Sequence, residues 1–304
     1  MNTIKNKWFF ISLIYVFVVY FIFIVYLKGS QPTFYYLLLS LYVVVTAILF
    51  LGNIVGFPGL ILHAFFKKEE LALPFYRASY KLGCRSSQIL SAYGIILLRK
   101  GEAKEAKEIF EAALEKNRNY LYTHTLKANI IICEWKLGNT QKAYKDYLEL
   151  YYFPDRERLQ SYDLENLDAG KECNPSFSPQ DFLTIGYLAL INKEMDAALY
   201  FSTIALDKMP QYAAAYDNLG QIYYVQGEPE KAQEYFEKAI ELKPTLIDSL
   251  YYLAKIHFEK GDAKKAEEYL ENALKQPYNA LNTISKAEMD ELNIRLKSNL
   301  NKIN

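Results

Sequence analysis

Side chains that could do covalent or metal chemistry are few in this chain, and they are scattered. Three cysteines, Cys84, Cys133 and Cys173, include no C-x-x-C pair, and three histidines, His63, His124 and His257, stand apart from them. A tetrahedral metal site needs such ligands clustered. The expectation is therefore reduced thiols, histidines that are ordinary helix residues, and no metal or cofactor. No G-x-G-x-x-G, P-loop, G-x-S-x-G or H-E-x-x-H occurs, and nothing pairs a nucleophile with a base. The pairs Glu69–Glu70 and Glu267–Glu268 read as turn or surface charge, and Glu105 and Glu108 sit among lysines at helical spacing. The sequence is read as that of a non-enzyme with no catalytic residue.

Charge is unevenly placed. Residues 1–66 hold Lys5, Lys7 and Lys28 and no acid, while the other 238 carry 32 Lys+Arg against 35 Asp+Glu. A near-neutral soluble part lacks the basic stripe that displaces counterions from nucleic acid. Residues 8–27 are twenty uncharged, mostly apolar positions, enough as a helix to cross a bilayer. A second uncharged run covers 34–55, and KGSQPT (28–33) between them suits a tight turn. The expectation is a two-span membrane anchor over 1–66. A cleavable leader is the rival reading, but the run is long, lacks a small-x-small site and is followed by a second run. Lysines before the first span and after the second (Lys67, Lys68) place both termini in the cytoplasm. Aromatic residues in the runs (Trp8, Tyr15, Tyr20, Tyr26, Tyr35, Tyr36) suit either interfacial anchoring or contact with an integral partner. FPGLILHAFF (57–66), broken by Pro58 and Gly59, reads as a short separate helix. Gly52 and Gly56 make a G-x-x-x-G spacing, either a close-approach face between membrane helices or a plain helix end. The Lys, Asn, Ile and Tyr bias points to an AT-rich bacterial genome.

The rest of the chain repeats itself. Around Gly220, Leu219 precedes; Tyr223 lies three on, Gly227 seven, Ala232 twelve, Phe236 sixteen, Ala239 nineteen and Pro244 twenty-four. Two helices with a turn at Gly227 fit these intervals: small residues let the backbones close, large rings fill between hairpins, and proline ends the unit. Shifted by 34, Leu253, Ala254, His257, Gly261, Ala266, Leu270 and Ala273 recur, with Pro277 one place early. Shifted back, Phe182, Ile185, Gly186, Ala189, Ala198, Ala205 and Pro210 recur, with Lys193 for the turn glycine and Ser202 for the aromatic knob. A copy from Ser87 carries Tyr93, Gly94, Gly101, Ala106, Phe110 and Ala113; 37 residues later come Gly138, Ala143 and Tyr147. Three residues are thus inserted near Tyr120–Thr123, with Ile131 at the glycine position and Leu150 at an alanine position. Ala72, Tyr76 and Ser79 fall one period upstream and read as a half-repeat, although Pro74 would kink its helix.

This skeleton resembles the tetratricopeptide repeat, over roughly residues 87–280. The implied fold is an all-α solenoid of helical hairpins: half-repeat 67–86, repeats in 87–154 and 179–280, a polar insertion at 155–178, and a capping helix in 281–304. The insertion reads as a solvated loop or as a binding loop on the groove edge. Ser285 with Glu288 has capping-box spacing, and Met289, Leu292, Leu296 and Leu300 form one apolar stripe that covers the exposed last repeat.

The resemblance also implies a concave face lined by the first helix of each hairpin. Its residues here are Ser91, Ile95, Leu98, Ala128, Ile132, Trp135, Leu183, Tyr187, Leu190, Asp217, Gln221, Tyr224, Tyr251, Lys255 and Phe258. Asn218 stands where family members hydrogen-bond a bound peptide. The cations of carboxylate-gripping members are missing. The implied partner is a protein bearing an apolar or amphipathic segment, unless these residues merely pack between tightly coiled repeats. The function implied is a scaffold beside the lipid bilayer, recruiting or assembling proteins, with a structural subunit of an integral membrane complex as the alternative.

Overall fold

The computed structural model describes residues 32–117, 120–152 and 177–303. Every regular element among them is an α-helix. The chain divides into two compact units, residues 1–89 and 90–304.

The first unit holds α1 (Pro32–Ala64) and α2 (Glu69–Lys81). One helix of 33 residues runs through Pro58, so the expected break after Val55 and the separate helix at 57–66 are absent. The physical reason is packing. A Cβ added to Gly52 would lie 2.6 Å from the Cys84 nitrogen, one on Gly56 2.6 Å from Ser79 Oγ, and one on Gly59 3.0 Å from the Tyr76 ring. Ser79 Oγ donates to the Gly52 carbonyl at 2.6 Å, and Asn53 Oδ1 accepts from the Arg85 and Ser86 amides at 2.8 and 3.2 Å. The G-x-x-x-G spacing is thus a close-approach face, but its partner is α2 and the following loop of this chain. The acids at the start of α2 and Lys81 at its end oppose the helix dipole. Ala72, Tyr76 and Ser79, the half-repeat positions, are buried. The run 34–55 forms the first part of α1, and among the described residues no helix is long and apolar enough to cross a membrane. The expected span 8–27 lies outside the described residues.

The second unit is built of hairpins. They are α3 (Ser87–Arg99) with α4 (Ala103–Lys116), α5 (Tyr120–Lys136) with α6 (Thr140–Tyr152), and α7 (Pro179–Ile191) with α8 (Met195–Lys208). Then come α9 (Ala213–Val225) with α10 (Pro229–Leu242), α11 (Ile247–Glu259) with α12 (Ala263–Leu274), and the single helix α13 (Lys286–Ile303). α7, α9 and α11 start 34 residues apart. α5 has 17 residues where α3 has 13, so the inserted residues are absorbed as an extra turn.

Small residues facing large ones hold each hairpin closed. A Cβ on Gly94 would meet the Phe110 ring at 2.8 Å, and one on Gly220 the Phe236 ring at 2.7 Å. At Gly186 the neighbour is Ser202 Oγ at 2.6 Å, and Phe201 fills the adjoining core. Behind α4, an ion cluster ties three helices: the buried Glu134 carboxylate takes Lys107 Nζ at 2.8 Å, Lys142 Nζ at 2.5 Å and Asn139 Nδ2 at 2.7 Å. These cations hold its carboxyl down at about 2.

The polar insertion lies outside the described residues except for its end, which is not a solvated loop. Phe177 is buried edge-to-face against Tyr147, Tyr151 and Phe182, at centroid distances of 5.9, 5.2 and 5.5 Å. Ser178 and Asp181 form a reciprocal capping box that starts α7. The capping helix begins at Lys286 rather than 281, because Ser285 and Glu288 close their own box, with bonds of 2.7 and 3.2 Å. Met289, Leu292 and Leu296 pack on the last hairpin; the Leu300 side chain lies outside the described residues. Cys84 and Cys133 are free and buried, and burial pushes the Cys133 thiol up to about 12. Cys173 lies outside the described residues.

Turn residues Gly101, Gly138, Gly227 and Gly261 have φ between 81° and 89°, and in the turn between α7 and α8 Lys193 meets the same demand without glycine, at 68°. Glycine takes this conformation without a Cβ penalty. Lys193→Gly should therefore raise stability by about 0.5–1 kcal/mol. The check is a higher urea midpoint at unchanged slope. Gly52→Ala, whose methyl would meet backbone and not a yielding side chain, should destabilise the α1–α2 pair by about 1–3 kcal/mol. Faster amide exchange in α2 would report it.

Candidate functional site

The expected lining residues lie on the first helices of the hairpins. Leu98, Leu183, Leu190, Asn218, Gln221 and Tyr251 are buried, while Ile95, Ile132, Trp135, Tyr187, Tyr224, Lys255 and Phe258 are half-buried. The Asn218 carboxamide donates to the Leu183 carbonyl at 2.9 Å, so this group joins neighbouring repeats. Trp135 and Tyr187 lie with centroids 5.1 Å apart.

This face is not empty. Residues 275–285, between α12 and α13, run across it as a strap. The Ala280 amide donates to the Arg99 carbonyl at the end of α3 at 2.8 Å. Lys136 Nζ, at the end of α5, donates to the Asn282 carbonyl at 2.9 Å. Gln221 Nε2, on α9, donates to Thr283 Oγ1 at 3.0 Å. Asp248, on α11, accepts from the Ile284 amide at 3.0 Å and from Asn282 Nδ2 at 3.2 Å. The strap therefore reaches hairpins at both ends of the array. The concave hollow that the resemblance implies is occupied by the chain itself.

Electrostatics explain the placement. Asp217 is 4% exposed and is held by Ser249 Oγ at 2.5 Å and Gln221 Nε2 at 2.7 Å. Burial, together with the negative charge of Asp248, pushes its carboxyl up to about 7. Burial also raises Asp248, against the pull of its Ile284 and Asn282 donors. Lys136 is drawn down to about 8 by burial, opposed by the attraction of Asp248. Near the capping helix the lining side chains pair with charged groups. Tyr224 donates to Glu259 Oε1 at 2.6 Å, Lys255 Nζ lies 5.0 Å from the Tyr224 ring, and Arg295 stands 5.2 Å from the Phe258 ring.

Two features escaped the sequence reading. The strap's signal was present, as an uncharged run from Gln276 to Ser285 longer than a turn requires. A buried polar cluster behind the face had none. His124 Nε2 lies 3.3 Å from Asp181 Oδ1, to which Tyr147 also donates at 2.8 Å. These residues come from three helices and meet only in three dimensions. Among the described residues no group of three or more His, Cys, Asp or Glu side chains could hold a metal ion.

Tetratricopeptide repeat family models match residues 87–120, 213–246 and 235–268. Two of these stretches begin on the first residues of α3 and α9. A tetratricopeptide repeat protein from Parabacteroides merdae is similar at a TM-score of 0.58 and 16% identity, over 81% of this chain and 83% of that one. PilW, a widely conserved type IV pilus biogenesis factor, is similar at 0.51 and 16%, over 80% and 98%. At such identities the likeness is one of fold. No protein of curated function matches the sequence. The chain carries tetratricopeptide repeats, stacked as an all-α solenoid.

Asp217 yields a pH prediction. Its folded value lies above the roughly 3.9 of an exposed aspartate, so the native state holds the proton more tightly than the unfolded one. Its contribution to stability is complete below about pH 4 and is lost as pH rises through about 7. Asp217→Asn should unfold at a higher temperature than the parent at pH 8 and flatten the decline between pH 5 and 8. Melting curves that fall equally in both proteins would remove Asp217 as the titrating group.

Proposed function

We propose that the chain is a membrane-anchored scaffold whose repeat array recruits or assembles other proteins on its cytoplasmic side. Support for the anchor comes from the apolar runs themselves. Residues 8–27 carry no charge, and neither do residues 34–55, although among the described residues the helix α1 that holds the second run is not long and apolar enough to cross a membrane. Twenty helical residues rise about 30 Å, the thickness of the hydrocarbon core. Leu41, Val44, Phe50 and Leu51 are exposed along that stretch. Lysines flanking the pair of runs favour a cytoplasmic array. The observation that carries the interaction role is the line of five hairpins sharing one continuous face of aromatic and polar side chains. Such a surface offers rigid contact area and does not require a reacting group.

A structural subunit of an integral membrane complex is the second reading. It is favoured by the apolar side chains that continue beyond residue 51: Ile54, Phe57, Phe65, Phe66, Leu71 and Phe75 are all exposed. A patch of this kind next to an anchor suits an integral partner or the lipid interface. Exchanging residues 1–51 for an unrelated two-span anchor separates the readings, since a recruiter keeps its partners and a subunit loses them.

After alkaline extraction of membranes the full chain should stay with the bilayer, and a chain lacking residues 1–51 should be released. Retention of the shortened chain overturns the anchor. A photoreactive side chain at Phe258, half-buried on the face near the capping helix, should give a discrete protein adduct. The same group at the exposed Lys238 should not. Equal labelling from both positions overturns recruitment through this face.

A further inference from the structure

Any ligand of the concave face must deal with Asp248, a carboxylate only 6% exposed. A buried charge is tolerated where donors surround it and is costly where they are lost. An apolar segment could not replace the Ile284 amide and the Asn282 carboxamide, so the occupant that fits is polar. What the face reads in the strap is a carbonyl at Lys136, a hydroxyl at Gln221 and two N–H donors at Asp248.

The strap is also self-shaped. The Asn282 amide bonds the Asn279 carbonyl at 3.2 Å, and the Leu281 amide bonds Asn279 Oδ1 at 2.9 Å. A pre-folded turn loses little entropy on docking. Only Ile284 among residues 278–284 is buried, and Tyr278 is exposed. Hydrogen bonds, which water can replace, therefore hold this segment more than apolar area does.

We propose that residues 278–284 are a resident ligand of the concave face, displaced by an uncharged turn of a partner protein that offers Lys136 a carbonyl, Gln221 a hydroxyl and Asp248 its N–H donors. The inference rests on the reading that this face takes a protein ligand. It changes the chemistry of that ligand from apolar to asparagine- and threonine-bearing, and it makes the free chain a closed form.

Hydrogen exchange on the full chain gives the first test. The Ala280 and Ile284 amides should exchange at least about tenfold faster than those of Leu253 and Ile256 in α11, as local release requires. Exchange at the same rate overturns the proposal. In the second test residues 278–284 are replaced by a glycine–serine linker of equal length, and a labelled peptide of the sequence 276–286 is added. The linker protein should keep its helical circular dichroism and bind the peptide at least about tenfold more tightly than the parent does. Lys136→Ala in the linker background should lower that affinity by about tenfold. A linker protein that loses its helices, or keeps them and ignores the peptide, overturns the proposal. Peptide binding without an adduct from Phe258 leaves the strap standing and sinks recruitment, so the two failures are distinguishable.

Discussion

Asp248 can remain charged inside this protein only if donors reach it, and the donors come from a segment over thirty residues further along the chain. That requirement organises the concave face. It fixes where the strap must lie, which places Asn282 under Lys136 and Thr283 against Gln221. Asp217 stands beside the same pocket of charge, quieted by Ser249 and Gln221. Without these polar contacts the aromatic lining would resemble many protein-binding surfaces. With them, the face has a defined polar floor. A buried polar network is worth most when every member is satisfied, and here the satisfying partner is covalently attached.

Much of the repeat architecture was legible because it is a matter of spacing. Gly94 opposite Phe110 and Gly220 opposite Phe236 are sixteen residues apart, so a local pattern predicts a local contact. The insertion near Tyr120–Thr123, the box at Ser285 and the buried stripe Met289, Leu292 and Leu296 were readable for the same reason. The strap was not. Its contacts join Ala280 to Arg99 and Asn282 to Lys136, and no periodic signal connects positions so distant. The same holds for His124 with Asp181, and for Phe177, which polar neighbours in sequence made look like part of a loop. The segment that crosses the face was therefore not legible from any local pattern.

In the first unit the sequence signal was correct in kind and misassigned in partner. Gly52 and Gly56 do mark a place where backbones approach. The partner is α2 with the turn around Cys84, whose amide and the Ser79 hydroxyl leave no room for a methyl group. Pro58 and Gly59 read as a break because each lowers helix propensity. Tertiary packing against Tyr76 overrides that weak local preference. A polar Asn53 on an otherwise apolar helix follows from the same arrangement, since it collects the loop amides of Arg85 and Ser86.

Stacked repeats ordinarily touch only their neighbours, which lets each hairpin fray or fold almost independently. The bond from Ala280 to Arg99 is a chord across that line, closing a loop that runs from the end of α3 through α12. Closing so long a loop is entropically costly and raises the mean sequence separation of native contacts, which slows folding. In return, melting at one terminus is felt at the other. The array then gains or loses its structure as one cooperative body, where an open solenoid would unravel from its ends.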